Sequence, residues 1–394
     1  MKNQGEDMQK VIQRNEKFVR ENSIHERNTS LDALRVLCMF LIVLGHAMVH
    51  GHVLDTLSPN SINYYIVNIL RAFLSVHVNC FVLISGYFLC TYKFRLSKVF
   101  FIWWQTFFWS VTLYIFVCIS GIVPFEIESL LRACLPFTQQ RYWFVTTYLL
   151  MYVLIPLLNA AIHTMSQRQH AFFIATFFFI YIVLQNLFFW KKFTSTNSYD
   201  PLFFAFLYMI AAYFRLYPAK RTQLRYFLCY FLVCLFSAIW KIGMGLFTSK
   251  IVGESMGDSI FLSYSSITMV IASASLFRFF EGLSITNRLA QKVVTLLSSL
   301  TFGVYLIHEQ PEIRAFLWEK LLRPGNYVQS PFLILFLLGI ALFVFLLCAL
   351  LEYLRNRVSE LFSIRKLIIA ISNRVKLRAV SLAEMVFNLK DKEK

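Results

Sequence analysis

Charged residues are scarce in this sequence: they make up 15% of its 394 residues, whereas 58% are hydrophobic. Soluble domains contain about 25% charged residues, so the composition excludes an ordinary soluble globular protein and a disordered chain. Acidic residues are the scarcer kind, with 21 Asp and Glu against 38 Lys and Arg and a net charge of +17. In a membrane protein such an excess reports orientation rather than nucleic-acid binding. We therefore predict a membrane protein with no nucleic-acid partner.

Motifs for disulfides, metals and secretion are also missing. The eight cysteines lie mostly inside apolar runs and include no CxxC pair, which indicates neither a disulfide framework nor a zinc cluster. There is no HExxH motif. No short apolar run with a cleavage site precedes the first long one, so we expect no removable signal peptide. The first long apolar run is then expected to be the targeting signal.

Long apolar runs dominate the sequence, and ten of them approach the ~20 residues that a helix needs to cross a bilayer. They lie near 31–50, 66–90, 98–121, 142–163, 171–190, 201–217, 225–248, 259–279, 293–309 and 331–353. This pattern predicts an all-α fold, a polytopic membrane helix bundle of about ten transmembrane helices. The predicted organisation is a charged cytoplasmic N-terminal segment (1–30), one transmembrane domain (31–354) and a basic amphipathic cytoplasmic tail (355–394).

The distribution of Lys and Arg predicts the orientation of the bundle. With the N-terminus in the cytoplasm, 27 of the 38 basic residues fall on the cytoplasmic side and nine on the outer side, while Arg35 and Lys241 lie within spans. This split obeys the positive-inside rule. We therefore expect both termini to be cytoplasmic, as an even number of spans requires.

The tail combines apolar and basic residues at helical spacing. Apolar residues from Leu361 to Leu389 recur every three or four positions, and basic residues such as Arg365, Lys366 and Arg374 fill the other face. This pattern predicts an amphipathic helix lying on an anionic cytoplasmic leaflet. Docking of a partner protein is the alternative interpretation.

Two ionisable residues, Arg35 and His46, lie in the first apolar run. Their separation is three helical turns plus about 20°, so both side chains lie on one helix face, about 16 Å apart along the axis. Ionisable residues inside a membrane usually face the bundle interior or a water-filled cavity. The alternative is that Arg35 only reaches the headgroups and that His46 only packs.

Further histidines fall at the same level as His46. His50 lies one turn further along the same face, and His77 and His308 lie near the outer ends of the second and ninth predicted spans. These residues predict an outward-facing site with acid/base capacity.

A metal site is the alternative to an acid/base site, because two histidines four residues apart on a helix can bind one ion. The nearby carboxylates Asp55, Glu309 and Glu312 are not spaced along the sequence as a recognisable third ligand. We therefore expect no metal.

Two other segments suit ligands. Ser85 and Gly86 interrupt the second apolar run, where small residues allow either close helix packing or space for a ligand chain. The third connection ends in Gln140, Arg141 and Tyr142-Trp143, a mixture of hydrogen-bonding and flat aromatic groups that suits a sugar. An interfacial aromatic belt explains Trp143 equally well.

Four motifs occur in order along the chain. They are Leu31-Asp32-Ala33-Leu34-Arg35 with His46 after ten intervening residues, Phe81-Val82-Leu83-Ile84-Ser85-Gly86-Tyr87-Phe88-Leu89, Tyr142-Trp143-Phe144 with Pro156 and Asn159, and Thr301-Phe302-Gly303-Val304-Tyr305-Leu306-Ile307-His308. Together they resemble the bacterial acyltransferase-3 family of integral membrane acyltransferases, over about 31–353.

The resemblance implies an enzyme of the bacterial cytoplasmic (inner) membrane. Such an enzyme transfers an acyl group, expected to be acetyl, from cytoplasmic acyl-coenzyme A to a hydroxyl of an envelope carbohydrate on the far side. It has no tightly bound cofactor, since acetyl-coenzyme A is the donor substrate. The family's functional pair corresponds to Arg35 and His46, and the pair that holds the donor corresponds to Arg95 and Lys98. Some branches have a glutamate in the fourth span where this chain has Thr146-Thr147-Tyr148, so Glu309 is the expected partner of His46.

The expected site has three groups of residues. The catalytic group is His46, Arg35, His308 and Glu309. The donor-binding group is Arg35, Arg95, Lys98, Ser85 and Gly86. The acceptor-binding group is His50, Asn79, Gln140, Arg141, Tyr142, Trp143 and Tyr305.

The residues themselves fit such a reaction. Coenzyme A carries phosphates at one end and its thioester at the end of a long arm, so a cation and a base about 16 Å apart suit its two ends. His46 is the expected general base because histidine is the side chain whose ordinary pKa lies near neutrality. A covalent route through Ser85 stays open.

Two other function classes are compatible with the sequence. One is a transporter or flippase of lipid-linked sugars, although we find no obvious inverted repeat. The other is a scaffold without chemistry. Only the tail follows the bundle, so we expect either direct acylation of the acceptor or completion by a separate extracytoplasmic protein, and a homo-oligomer also stays open.

Overall fold

The structure is a computed structural model that describes residues 27–59, 61–138, 141–187, 198–218 and 222–392. Within these ranges the chain is helical and contains no strand, which confirms the all-α prediction. The segment predicted over 1–30 lies almost entirely outside the described residues.

The described part of the chain forms helices that we number α1 to α17. The first nine are α1 (Thr29–Val49), α2 (Val53–Thr56), α3 (Ile62–Leu74), α4 (His77–Leu89), α5 (Leu96–Ile119), α6 (Ile127–Cys134), α7 (Trp143–Val153), α8 (Ile155–Thr164) and α9 (Gln167–Phe177). The others are α10 (Leu184–Leu187), α11 (Pro201–Leu216), α12 (Gln223–Val252), α13 (Ile267–Glu281), α14 (Arg288–His308), α15 (Pro311–Ala315), α16 (Leu333–Leu361) and α17 (Ile364–Lys392). π-helical turns lie at Phe178–Val183 and Phe316–Leu322, and 3₁₀ turns lie at Ile260–Leu262 and Pro324–Tyr327.

Seven helical segments of the described residues are long and apolar enough to cross a membrane. They are Thr29–Val49, Ile62–Leu89, Leu96–Ile119, Gln223–Val252, Ile260–Glu281, Arg288–His308 and Leu333–Leu361. The pair α7 and α8, bent by 50°, makes an eighth if it is counted as one span. Pro156 lies in the first turn of α8, where its missing N–H ends the hydrogen-bond ladder of α7.

Seven or eight candidates do not amount to the ten predicted spans. Helix α11, at 16 residues, is shorter than an ordinary span. The run predicted over 171–190 continues beyond the described residues. The count of about ten and the cytoplasmic placement of both termini therefore stay predictions.

Helix α1 lies between the two apolar cores of the bundle. It begins at Thr29 because the Asn28 side chain accepts a hydrogen bond from the Leu31 amide at 3.0 Å. It packs against α4, α13, α14 and α16. Leu31 and Leu34 belong to one core and Val43 and Leu44 to the other. This position leaves its polar face, with Arg35 and His46, in the interior of the bundle.

Two glycines permit close helix contacts around α1. A Cβ on Gly86 of α4 would lie 2.9 Å from the Tyr208 Cα of α11, so these two backbones touch. A Cβ on Gly303 of α14 would lie 2.2 Å from the Glu352 Cγ of α16. The buried Glu352 carboxylate pairs with Arg355 at 2.6 Å and accepts a hydrogen bond from Trp109 at 2.7 Å.

The tail is helical, as its periodicity predicts, but its beginning is part of the bundle. Helix α17 packs against α5 and α16, and its Ile368 is buried. Whether the rest of α17 lies on a membrane surface stays a prediction.

Candidate functional site

A large cavity runs along the polar face of α1. Its volume is about 1390 Å³, and it extends from Arg35 at one end to His46 and His50 at the other. Seven arginines or lysines line it: Arg35, Arg71, Lys93, Arg95, Lys98, Arg314 and Arg365. Among the described residues that line the cavity, Glu309 is the one carboxylate. A cavity of this size and charge suits a long anionic ligand.

Three side chains meet at the His46 end. The His46 Nδ1 lies 3.0 Å from the His308 Nε2 and 3.0 Å from a carboxylate oxygen of Glu309. Helix α14 ends at His308 and Glu309 follows it as the C-terminal cap, so one helix end brings both groups to α1. The packing of α1 against α14 creates this cluster.

Hydrogen bonds define which nitrogen of His46 can act as a base. The His308 Nδ1 donates to the Val304 carbonyl at 2.5 Å, so the His308 Nε2 carries a lone pair. The His46 Nδ1 faces this acceptor and the Glu309 carboxylate, and it therefore carries the proton. The His46 Nε2 is then unprotonated and available to accept a proton.

Glu309 holds a negative charge at the centre of the cluster. Burial alone raises the pKa of its carboxyl, but the N–H of His46 and the charge of Arg314 outweigh burial and hold the pKa below its ordinary value. The Arg314 guanidinium pairs with Glu309 at 2.7 Å. An ionised carboxylate beside an imidazole stabilises the imidazolium that forms when the imidazole takes a proton.

His50 is the outermost member of the cluster, 3.6 Å from the Glu309 carboxylate. Burial lowers the pKa of His50 to about 4, against the opposing effect of Glu309. At neutral pH this side chain is therefore an uncharged hydrogen-bonding group.

The cluster also has the donor set of a cation site. One ligand atom from each of His46, His308 and Glu309 lies within 4.8 Å of the other two. Spacing along the sequence does not reveal this third ligand atom, because Glu309 reaches the histidines through the packing of two helices. Arg314 already pairs with one oxygen of this carboxylate, which favours an acid/base cluster over a cation site.

Basic residues gather at the Arg35 end of the cavity. Arg35 donates to Asp32 at 2.8 Å and to the Ser298 hydroxyl at 2.9 Å. Asp32 also pairs with Arg27 at 2.5 Å. Arg95 and Lys98, at the start of α5, line the cavity here.

The tail contributes to the same end. Arg365 and Ile369 of α17 line the cavity, although the sequence pattern assigned Arg365 to a face towards the membrane surface. Periodicity could not reveal this contact, because it depends on how α17 packs against α5.

The two small residues of α4 have different environments. Ser85 lines the cavity. Gly86 is not a lining residue and packs against the backbone of α11 at Tyr208. Its small size is explained by helix packing rather than by a donor contact.

The residues expected to bind the acceptor divide into two sets. Trp143, Tyr305 and His50 line the cavity. Arg141, Tyr142 and Asn79 are not lining residues: Arg141 pairs with Glu312, the Tyr142 hydroxyl donates to the Leu306 carbonyl at 3.1 Å, and Asn79 donates to the Tyr264 carbonyl at 2.9 Å. Their polar groups thus tie helices and loops together around the site. Gln140 lies outside the described residues.

Several lining residues were missed by the sequence analysis. Tyr264 stacks on Trp143 with ring centroids 6.3 Å apart, and Tyr199 meets Trp143 edge-on at 4.4 Å. Nothing in the sequence marks these tyrosines, since their contacts are long-range. Arg71 did carry a signal, because it is a cation at the outer edge of the second predicted span.

Comparison with known proteins gives one result. A family model described as an acyltransferase domain matches residues 28–353, which include α1 and most of α16. Helix α17 and its Arg365 lie outside the matched region. The comparisons with curated proteins and with solved structures found no match.

Proposed function

The chain belongs to the acyltransferase-3 family and is a membrane acyltransferase, and from this premise we propose that its donor is cytoplasmic acyl-coenzyme A, its acyl group acetyl and its acceptor a hydroxyl of an envelope or exported polysaccharide. The observation that carries this proposal is the cavity, which has basic residues at one end and the cluster of His46, His308 and Glu309 at the other. Arg35 and His46 lie on one face of α1, about 16 Å apart along its axis.

The basic end suits the phosphates of coenzyme A. Lys93, Arg95, Lys98 and Arg365 line the cavity there, with no lining carboxylate at that end. Guanidinium and ammonium groups bind phosphate through charge-assisted hydrogen bonds. The pantetheine arm would follow the cavity past Ser85, with its thioester near His46.

The transfer needs one base and one leaving group. The His46 Nε2 removes the proton from the acceptor hydroxyl, whose oxygen attacks the thioester carbonyl. The carbon–sulfur bond breaks, and the coenzyme A thiolate takes the proton from the imidazolium. Glu309 stabilises the imidazolium between these two steps. A two-step route through an ester on the Ser85 hydroxyl uses the same base and stays open.

The last part of the proposal is the orientation of the protein in the membrane. The positive-inside rule favours a cytoplasmic Arg35 end and an outer His46 end, with about ten spans and both termini in the cytoplasm. The donor then enters from the cytoplasm and the acceptor from outside. We place the protein in the cytoplasmic membrane of a bacterium, where both substrates occur.

The experiment that tests this function is donor turnover by the purified full chain. Labelled acetyl-coenzyme A should yield free coenzyme A, and the label should appear on an added envelope polysaccharide. His46→Ala should lower the rate by about 10²- to 10⁴-fold. His163→Ala is the matched control, because His163 does not line the cavity. A transporter or a scaffold would leave the thioester intact, and equal rates in both variants would refute the role of His46.

A further inference from the structure

Arg71 is a half-buried arginine of α3 in the wall of the cavity. Arg35 and Arg314, which also line the cavity, pair with Asp32 and Glu309. Within the described ranges the Arg71 guanidinium has neither a hydrogen bond nor an ion pair. A half-buried guanidinium without a protein partner has its donors available to a ligand, so its place in a ligand cavity points to a ligand with an acceptor group.

The carboxylates around Arg71 are already engaged. Asp258 is within electrostatic reach, but it pairs with Lys241 and accepts hydrogen bonds from Ser255 at 2.8 Å and Ser259 at 2.9 Å. Asp55 is 74% exposed and faces solvent. Lys241 already neutralises the buried Asp258 carboxylate, so Arg71 leaves a net positive charge at this wall.

The surroundings of Arg71 suit a carbohydrate. The rings of Trp143, Tyr199 and Tyr264 line the same cavity, as do the hydroxyls of Ser198 and Ser263. Aromatic faces and hydroxyl groups together are typical of sugar-binding surfaces, since they contact both the apolar faces and the hydroxyls of a sugar.

Tyr264 connects this wall to the histidine cluster. Its hydroxyl lies within electrostatic reach of both Arg71 and Glu309. Its ring also packs against His77 with centroids 5.6 Å apart. Arg71 and His46 therefore line one cavity that Tyr264 also lines, so one ligand in this cavity can present a group to each of them.

We propose that the acceptor carries an anionic group, a carboxylate or a phosphate, and that Arg71 binds this group while a hydroxyl of the same molecule faces His46. The inference rests on the proposed acyl transfer and names the class of its acceptor. An acidic sugar residue and the phosphate of a lipid-linked sugar share this chemistry, and the experiment distinguishes them.

The test compares acceptors that differ in charge. Purified full chain and acetyl-coenzyme A are incubated with p-nitrophenyl β-glucuronide, with the neutral p-nitrophenyl β-glucoside, or with glucose linked to farnesyl phosphate. Release of coenzyme A gives the half-saturating concentration of each acceptor. The variants are Arg71→Gln, Arg71→Lys and the control Arg132→Gln, which removes an exposed arginine paired with Glu128.

For the wild-type protein, the half-saturating concentration of one of the two charged acceptors should be at least about tenfold lower than that of the glucoside. A charge-assisted hydrogen bond accounts for a difference of this size. Preference for the glucuronide identifies an acidic sugar, and preference for the phosphate identifies a lipid-linked sugar. Arg71→Gln should remove the preference, Arg71→Lys should restore part of it, and Arg132→Gln should keep it.

Two results would overturn the inference. One is that the neutral glucoside has the same half-saturating concentration as both charged acceptors. The other is a charge preference that persists in Arg71→Gln. Absence of coenzyme A release from the wild-type protein under all conditions would instead refute the proposed function, and this inference with it.

Discussion

At the scale of single residues, the chemistry depends on how His46 is held. The Val304 carbonyl orients His308, and His308 and Glu309 together face the His46 Nδ1. This chain of contacts leaves the His46 Nε2 as the base. The sequence predicts that Arg35 and His46 share a helix face, because helical geometry alone gives this result. It could not predict the distance from His46 to Glu309, because that distance depends on the packing of α1 against α14.

Removal of the Glu309 charge tests this arrangement. Glu309→Gln keeps the size of the side chain but removes the charge that stabilises the imidazolium, so the rate of coenzyme A release should fall by about 10²-fold. Glu312→Gln is the matched control: Glu312 is only three residues away, but it pairs with Arg141 and does not line the cavity. Equal losses in the two variants would mean that Glu309 has a structural role only.

At the scale of helices, two contacts hold neighbouring helices of the bundle together. One is the close approach of α14 and α16 at Gly303 and Glu352, and the other is the packing of α17 against α5. The motif Thr301 to His308 includes Gly303, but sequence alone does not say which neighbour needs the missing side chain. The amphipathic pattern of the tail predicts its helix correctly. It does not predict that the helix lines the cavity, because periodicity shows which residues share a helix face but not what packs against that face.

Gly303→Ala should destabilise the bundle. The new methyl group would overlap the buried Glu352 side chain, and overpacking of this kind typically costs about 1–3 kcal/mol. Thermal unfolding of the detergent-purified protein measures the effect. Gly339→Ala in α16 is the matched control, since a Cβ there meets no atom within 4 Å. If the two variants unfold at the same temperature, the contact between α14 and α16 is looser than described.

Arg365→Ala tests the contribution of the tail to donor binding. The variant should need about tenfold more acetyl-coenzyme A for half-maximal rate, with little change in the maximal rate, because one phosphate contact is lost. With acetyl-pantetheine, which has no phosphates, the variant and the wild-type protein should need the same donor concentration for half-maximal rate.

Lys366→Ala is the control for this prediction. Lys366 is exposed on the next position of α17 and does not line the cavity. A phosphate contact at Arg365 would be contradicted if both variants needed similarly more acetyl-coenzyme A for half-maximal rate. It would also be contradicted if Arg365→Ala needed more acetyl-pantetheine than the wild-type protein.

At the scale of the whole molecule, the proposed transfer needs a protein that reaches both sides of the membrane. Composition predicts a membrane bundle, and seven candidate spans among the described residues agree with it. The predicted run 201–217 matches the short helix α11. The predicted run 142–163 treated α7 and α8 as one straight span, although Pro156 marks their bend. Charge counting remains the basis for the orientation.

Labelling of single cysteines tests this orientation. Gln329 and Thr222 are both exposed and lie on opposite sides in the predicted topology. In a background in which the partly exposed Cys118, Cys134 and Cys229 are changed to serine, Gln329→Cys should react with an impermeant maleimide in intact cells. Thr222→Cys should react only after the membrane is opened. The reverse pattern would invert the bundle and place His46 towards the cytoplasm.

The most direct test of the account supplies the donor to one face of the membrane at a time. Labelled acetyl-coenzyme A is added to sealed inside-out vesicles, whose cytoplasmic face is outward, and to sealed right-side-out vesicles from the same cells. The account predicts release of coenzyme A from the inside-out vesicles, label on a glycan in their lumen, and neither signal from His46→Ala vesicles. Turnover confined to right-side-out vesicles, or turnover that is unchanged in His46→Ala, would contradict transfer from a cytoplasmic donor through this cavity.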